Sequence, residues 1–150
     1  MPEILTILYA TLPINELRGT IPLAISWGIK PIYAFILAVI GNTIPVFVLL
    51  FGLGKLSTFA QKHSLFLNKI LNWVFQRTRK KTAKAIKKYG PLALFFFVAI
   101  PLPFTGAWTG SMAAWLFGIP FKKAILPIML GIVVAGIIIT SLSIGLFSYI

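Results

Sequence analysis

Four apolar blocks and one basic stretch divide this chain, and the blocks are of two kinds. Residues 31–53 and 124–150 carry no charged side chain. At 1.5 Å rise per residue, 31–53 makes a helix of roughly 34 Å, enough for a hydrocarbon core of about 30 Å. Both stretches are predicted to be transmembrane helices. The other two blocks, 3–29 and 91–119, are interrupted near their middles. Pro13, Glu16, Arg18, Gly19 and Pro22 interrupt the first, and Pro101, Pro103, Gly106 and Gly110 the second. Proline removes a backbone donor and crowds the preceding turn, while glycine permits reversal. Each arm beside a break would reach only about half a bilayer. A kinked span and a re-entrant hairpin both accommodate such a break. The hairpin suits it better, because irregular backbone at depth must be buried in protein or line a cavity.

The broken block and intact span occur twice in the same order. At an offset of 90 residues Leu12 and Pro13 align with Leu102 and Pro103, Ala24 with Ala114, and Gly28-Ile29 with Gly118-Ile119. Ala34 then aligns with Ala124, and Gly41 with Gly131. A hairpin plus one span crosses the membrane an odd number of times, so two such units in series must point in opposite directions. The expected fold is therefore an all-α integral membrane protein of two inverted repeats, 1–54 and 90–150, with a site where the broken segments meet.

Between the repeats, residues 55–89 read as an amphipathic basic helix lying in the interface. Phe59, Phe66, Ile70, Trp73 and Val74 fall on one side and Lys62, Lys69 and Arg77 elsewhere. The stretch Gly52-Leu53-Gly54-Lys55 lacks the glycine spacing of a phosphate loop and reads as the end of the first span, with Lys55 snorkelling.

Composition agrees with the pattern. The chain is 59% hydrophobic and 11% charged, with mean hydropathy +0.97. One small soluble core cannot hide that much apolar surface. The formal charge of +12 is uneven: ten of the 14 Lys and Arg residues lie in 55–88, with no acid among them. In a membrane protein such a run predicts a cytoplasmic segment able to meet anionic lipid headgroups, with both termini outside, and not nucleic-acid binding. The first charge is Glu3, so the basic start of a cleavable signal is missing and none is expected. With no cysteine, a single histidine (His63) and two carboxylates, neither a metal site, a cofactor nor an enzymatic activity is expected.

Candidate chemistry concentrates at the two breaks. An ionised side chain at bilayer depth costs about 2.5–3.5 kcal/mol on insertion scales, so Glu16 and Arg18 need a partner or a task. One reading is a local ion pair that holds the first tip together. The other is a transport site, with Asn15, Glu16 and Arg18 facing Thr105, Trp108 and Thr109 of the second tip. On an unbroken helix, residues two apart point away from each other, so direct pairing requires a turn or a partner from elsewhere. Backbone N–H groups at a half-helix start after Thr105-Gly106 would suit an anion. Asn42, Thr43 and Pro45 in the first span, with Gly41 and Gly131, read as packing residues.

The segments Glu16-Leu17-Arg18-Gly19-Thr20-Ile21-Pro22-Leu23-Ala24 and Ile100-Pro101-Leu102-Pro103-Phe104-Thr105-Gly106-Ala107-Trp108-Thr109-Gly110 resemble the small multi-drug export protein family over essentially the whole chain. That resemblance implies efflux of small compounds. In architecture the chain also resembles the larger DedA and VTT-type superfamily, which implies movement of lipids, polyprenyl phosphates included. In DedA proteins an acidic residue of the first hairpin is complemented by arginines of the second. Here the second tip carries no charge, and Arg18 lies in the first.

The expected function is that of a small transporter moving an amphiphile between opposed hairpins, with a lipid phosphate favoured over a proton-coupled drug. A structural or accessory membrane subunit is the alternative of another class. Two spans and two hairpins make a thin bundle, so a homodimer is expected.

Overall fold

The computed structural model describes residues 1–103 and 105–150. Phe104, part of the second tip motif, lies outside the described residues. Among those described, the chain forms seven helices: α1 (Pro2–Thr11), α2 (Glu16–Ser26), α3 (Pro31–His63), α4 (Leu65–Tyr89), α5 (Leu92–Ala99), α6 (Ala107–Leu116) and α7 (Phe121–Ser148). The breaks fall where proline stands outside a helix, at Pro13 between α1 and α2 and at Pro101 and Pro103 between α5 and α6. Gly19, Pro22 and Gly110 do not break the chain; they lie inside α2 and α6. Pro22 removes only the bond to the Arg18 carbonyl, one turn above the helix start. Gly110 makes room for a neighbour, since a Cβ there would lie 2.7 Å from Val98 Cγ2.

α3 and α7 are both long and apolar enough to cross a bilayer. α3 continues to His63, ten residues beyond the expected end of the span at residue 53. Gly52–Lys55 is therefore continuous helix and not a helix end: no proline follows Pro45 within it, and an isolated glycine weakens a helix without stopping it. Ser64 ends the run; its side chain accepts from Leu67 N–H (3.3 Å) and caps α4.

The two halves agree at an offset of 90 residues in backbone detail. α3 begins at Pro31 and α7 at Phe121. The turn before each is closed by matching bonds, Ile29 N–H to Ala24 O (3.1 Å) and Ile119 N–H to Ala114 O (2.9 Å). Gly28 (φ +85°) and Gly118 (φ +66°) supply the left-handed residue that ends the preceding helix. α1 packs on α3 as α5 packs on α7, while α2 reaches α7 and α6 reaches α3. The close approaches match too. A Cβ on Gly41 would lie 2.5 Å from Ile7 O, and one on Gly131 would lie 2.7 Å from Val98 Cβ.

Along α3 and α7 small residues line much of the packed face, beside Val46, Ile128 and Ile132, and many large residues lie outside. Ala34, Ala38, Gly41 and Asn42 of α3 and Ala124, Gly131, Ala135 and Gly136 of α7 are buried. Ile36, Ile40, Phe47, Phe51, Leu126, Leu130 and Ile137 are exposed. Helices that associate in lipid need close backbone contact and gain nothing from hiding leucine, which lipid solvates well. The chain is a multi-pass membrane helical bundle.

α4 also packs on the body, by a face other than the apolar side read from its sequence. Phe66, Ile70 and Trp73 are exposed, and Phe75, Thr78, Thr82 and Ile86 face the body. Their spacing of three and four residues is a helical stripe of its own, with small hydroxyls where the helix comes close.

Candidate functional site

Glu16 and Arg18 stand at the start of α2, just beyond the break at Pro13, and both reach across to the second tip. Glu16 is 6% exposed. Its carboxylate accepts from the Trp108 backbone N–H (3.3 Å), with the Ala107 N–H also facing it. The anion position expected at the start of α6 is thus filled by the chain's own carboxylate, where the helix macrodipole and unpaired N–H groups favour negative charge. Gly106 makes this approach possible. It has φ +123°, and a Cβ there would overlap the Glu16 carboxylate. Glu16 itself has φ +43°, the only positive φ outside glycine among the described residues. A side chain held in that sparsely populated region costs energy that its surroundings must offset.

Arg18 points to the other end of the same gap. Its Nη1 donates to the Leu102 carbonyl and its Nη2 to Thr105 Oγ1 (2.7 Å). The Thr105 hydroxyl lies 2.7 Å from the Leu102 carbonyl and 3.0 Å from that of Ile100. The guanidinium thus holds a carbonyl and a hydroxyl of the turn that follows α5. In return, Trp108 Nε1 donates to the Thr11 carbonyl (3.1 Å), the last residue of α1. Among the described residues no ion pair joins Glu16 to Arg18. The local pair is replaced by two separate attachments across the gap.

The other residues expected at the site divide. Thr105, Trp108 and Thr109 join Glu16 and Arg18 in lining one cavity of about 640 Å³. Asn15 is half-buried beside Gly19 and is not part of that lining. Asn42 is buried in α3, and Thr43 bonds to Val39 O (2.7 Å) within its own helix.

Sequence reasoning missed the opposite wall. The cavity runs from the tips to α4, where Trp73, Phe75, Arg77, Thr78 and Lys81 line it, with Leu49 and Leu53 of α3 between. Arg77 stacks over the Trp73 ring at 5.3 Å. The available signal was the stripe Phe75–Thr78–Thr82–Ile86 inside a basic run. The Leu102 and Thr11 carbonyls carry no side-chain signal at all. Among the described residues no three of His, Cys, Asp and Glu gather in one place. The site offers one carboxylate, three cations, three threonine hydroxyls and two tryptophans around apolar walls.

No curated protein and no solved structure matches the chain. One family model does, described as "Putative small multi-drug export protein", over residues 16–138, which takes in both tips, α3, α4 and most of α7. The chain belongs to this small multi-drug export family.

Proposed function

We propose that this protein is a membrane transporter for small amphiphiles, an exporter of the multidrug kind that its family's description names. The observation that carries the reading is the mutual attachment of the two tips, with Glu16 on the start of α6 and Arg18 on Leu102 and Thr105, beside a 640 Å³ cavity. That volume lies within the roughly 300–1,000 Å³ of small-molecule sites. In this reading α1–α2 and α5–α6 are re-entrant hairpins, α3 and α7 are the spans, and the two units are inverted. The agreement of turns and close approaches at an offset of 90 supports it. The basic helix α4 faces the cytoplasm with both termini outside, its exposed Phe66, Ile70 and Trp73 lie in the lipid interface, and the protein works as a homodimer without enzymatic chemistry.

The mechanism follows from what holds the tips. A carboxylate binds the start of α6 through its charge, and a protonated Glu16 loses most of that attraction. Taking up a proton would free α6 from α2 and open the cavity along the gap. Rebinding of the carboxylate would close it. Proton movement is thereby tied to movement of the tips, as drug–proton exchange requires.

A second reading, passive movement of a lipid phosphate, is favoured by the three cations Arg18, Arg77 and Lys81 on the same cavity. A purely structural role for the charged pair is the third. Proteoliposomes loaded with cationic dyes or with lipid phosphates separate them. Drug–proton exchange requires transport driven by a pH gradient that Glu16→Gln abolishes. Phosphate movement requires Arg18 and no gradient. Unchanged transport by folded Glu16→Gln and Arg18→Ala proteins would refute both.

A further inference from the structure

Two buried oxygens have no use in the packing of the helices. Among the described residues, Thr20 Oγ1 in α2 and Asn42 Oδ1 in α3 have no hydrogen-bond partner, although both side chains are 1% exposed. The buried hydroxyls of Thr6, Thr82, Ser111 and Ser143 each donate to the carbonyl four residues back. Thr20 does not. Buried polar groups in native proteins are paired, with protein or with ordered water. Polar side chains that join helices in lipid do so by bonding across them, and these two oxygens bond to nothing. Packing alone would be met by the residues that the second half uses. In the 90-residue register Thr20 is equivalent to Gly110 and Asn42 to Ile132. The polar pair stands only in the half that carries the buried acid.

The pair lies close to that acid. α2 ends at Ser26 and α3 begins at Pro31, and the two helices pack on each other beyond that short turn. Counting away from the turn at equal rise per residue brings Thr20 close to the level of Ala38, and Glu16 close to that of Asn42. The second half agrees: a Cβ on Gly110 would lie 3.9 Å from Ile128, the equivalent of Ala38. Glu16, Thr20 and Ala24 are buried on α2, as Ala34, Ala38 and Asn42 are on α3. Side chains on a helix lean toward its N-terminus, here from Asn42 toward Ala38 and Thr20. Neither residue lines the cavity, whose α3 wall is Leu49, Leu53 and Leu56. They come to Glu16 from the other end of α3, where Ala24, Ala34 and Ala38 leave little side chain in the way. Of the charged side chains, Arg18 stands beside Glu16 on α2, and Arg77 and Lys81 stand across the cavity on α4. α6 and α3 from Pro31 to Gly54 carry none, Lys30 lies in the turn, and Glu3, Lys122 and Lys123 lie at the starts of α1 and α7.

We infer that Thr20 Oγ1 and Asn42 Oδ1 hold a water molecule that delivers the proton to Glu16 from the side away from the cavity. The inference rests on the drug–proton reading of Glu16 and gives its proton a route of its own. The water donates to Asn42 Oδ1, accepts from the Thr20 hydroxyl and turns its other hydrogen to the carboxylate, three partners for one buried water. In a concerted relay it gives that proton to the carboxylate, forming the Glu16 O–H, and takes one from the Thr20 hydroxyl. The hydroxyl regains its own from solvent water entering beyond it, so water and threonine end unchanged. Asn42 Oδ1 only accepts, and it orients the water. Substrate and proton then meet Glu16 from opposite sides, and a filled cavity leaves the proton its path.

The test follows protonation of Glu16 in the full-length protein in nanodiscs, by rapid-scan infrared spectroscopy after a jump from alkaline to acidic buffer. The band read is the protonated carboxyl C=O stretch that is missing from Glu16→Gln; the only other acidic side chain, Glu3, is exposed. Thr20→Val and Asn42→Leu should each slow the rise of that band by roughly a hundredfold, the low end of what a positioned proton-transfer group contributes. Thr20→Ser keeps the hydroxyl and should keep the original rate. Both apolar changes replace an unpaired group by one of similar size, so far-UV circular dichroism should be unchanged. An undiminished rate in either apolar variant would overturn the inference, and so would a slow rise in Thr20→Ser. Exchange of ethidium against a pH gradient in proteoliposomes is scored separately. Slowed protonation in the variants, with no gradient-driven ethidium transport by the unmodified protein, sinks the exporter reading and leaves the water. Gradient-driven transport undiminished by Thr20→Val and Asn42→Leu keeps the exporter and overturns the route.

Discussion

Gly106→Ala probes the contact between the tips most directly, because the structure separates two costs of adding one methyl group. The first is conformational. At φ +123° a residue with a Cβ is strained by about 1–3 kcal/mol. The second is displacement of the Glu16 carboxylate, which occupies the space the methyl needs. Its bond from Trp108 N–H is then lost, and a hydrogen bond to a charged group contributes about 1.5–3 kcal/mol. Gly106→Ala should therefore destabilise by about 2.5–6 kcal/mol. Gly28→Ala is the control, with φ +85° and nothing within 4 Å of the new Cβ, so it carries the first cost alone. A double-mutant cycle isolates the second. In a Glu16→Ala background the methyl meets no carboxylate, and the cost of Gly106→Ala should fall by about 1.5–3 kcal/mol. Stability would be read from reversible unfolding in mixed micelles of increasing dodecyl sulfate fraction, followed by far-UV circular dichroism. If Gly106→Ala costs the same in both backgrounds to within about 0.5 kcal/mol, Glu16 does not occupy that space and the tip geometry is wrong.

Three further outcomes are expected. Trp108→Phe keeps an aromatic ring but loses the donor to the Thr11 carbonyl and part of the indole volume, and should lower stability by at least about 0.5–1.5 kcal/mol in the same unfolding assay. Gly41→Ala and Gly131→Ala both drive a methyl into backbone or Cβ atoms of the neighbouring helix and should severely reduce folded yield on size exclusion, whereas Gly52→Ala, with nothing within 4 Å, should be neutral or stabilise by about 0.5–1 kcal/mol. Brominated lipid should quench the exposed Trp73 more than Trp115, which packs on Phe75 at 5.2 Å; equal quenching would place α4 away from the lipid.

The parts of this fold legible in the sequence were those written in backbone chemistry. Pro13, Pro101 and Pro103 mark the breaks because proline cannot donate, and the uncharged runs mark α3 and α7 because nothing in them resists lipid. The offset of 90 residues was visible at Gly28 and Gly118 because a left-handed turn favours glycine in both places. What stayed hidden depended on partners distant in sequence. Glu16 and Arg18 stood out as costly charges, but their partners are backbone groups of Trp108 and Leu102, and every residue type has those. Proline and glycine also overstated the breaks, since Pro22 and Gly110 are accommodated inside helices. The packed face of α4 stayed hidden because the apolar side of a basic helix points to the interface, while Thr78 and Thr82 carry no signal of burial. In a bilayer large apolar side chains such as Phe66, Ile70 and Trp73 can face outward, and hydroxyls such as Thr78 and Thr82 can face the helices.

The uncharged second tip then has a physical reason. In the 90-residue register Glu16 is equivalent to Gly106, and those two positions are the ones that touch. Residues at a junction between two like units meet their own counterparts. Two glutamates there would place two carboxylates in one buried site, where both cannot ionise together. Two glycines would leave the starts of α2 and α6 without an anion. One glutamate and one glycine solve both problems, since the carboxylate fills the volume that the absent side chain leaves. The same holds one step along. Arg18 is equivalent to Trp108; the first reaches the carbonyl of Leu102 beyond α5, and the second reaches that of Thr11 at the end of α1. Two arginines would add a second half-buried cation with no second acid to offset it. Where each pair of short helices packs on the long helix that follows it, the halves keep the same residues, as at Gly41 and Gly131 or Ala24 and Ala114. Where α2 meets α6 they differ. The second tip is the complement of the first, and its lack of charge is the condition under which Glu16 can be buried and Arg18 half-buried there.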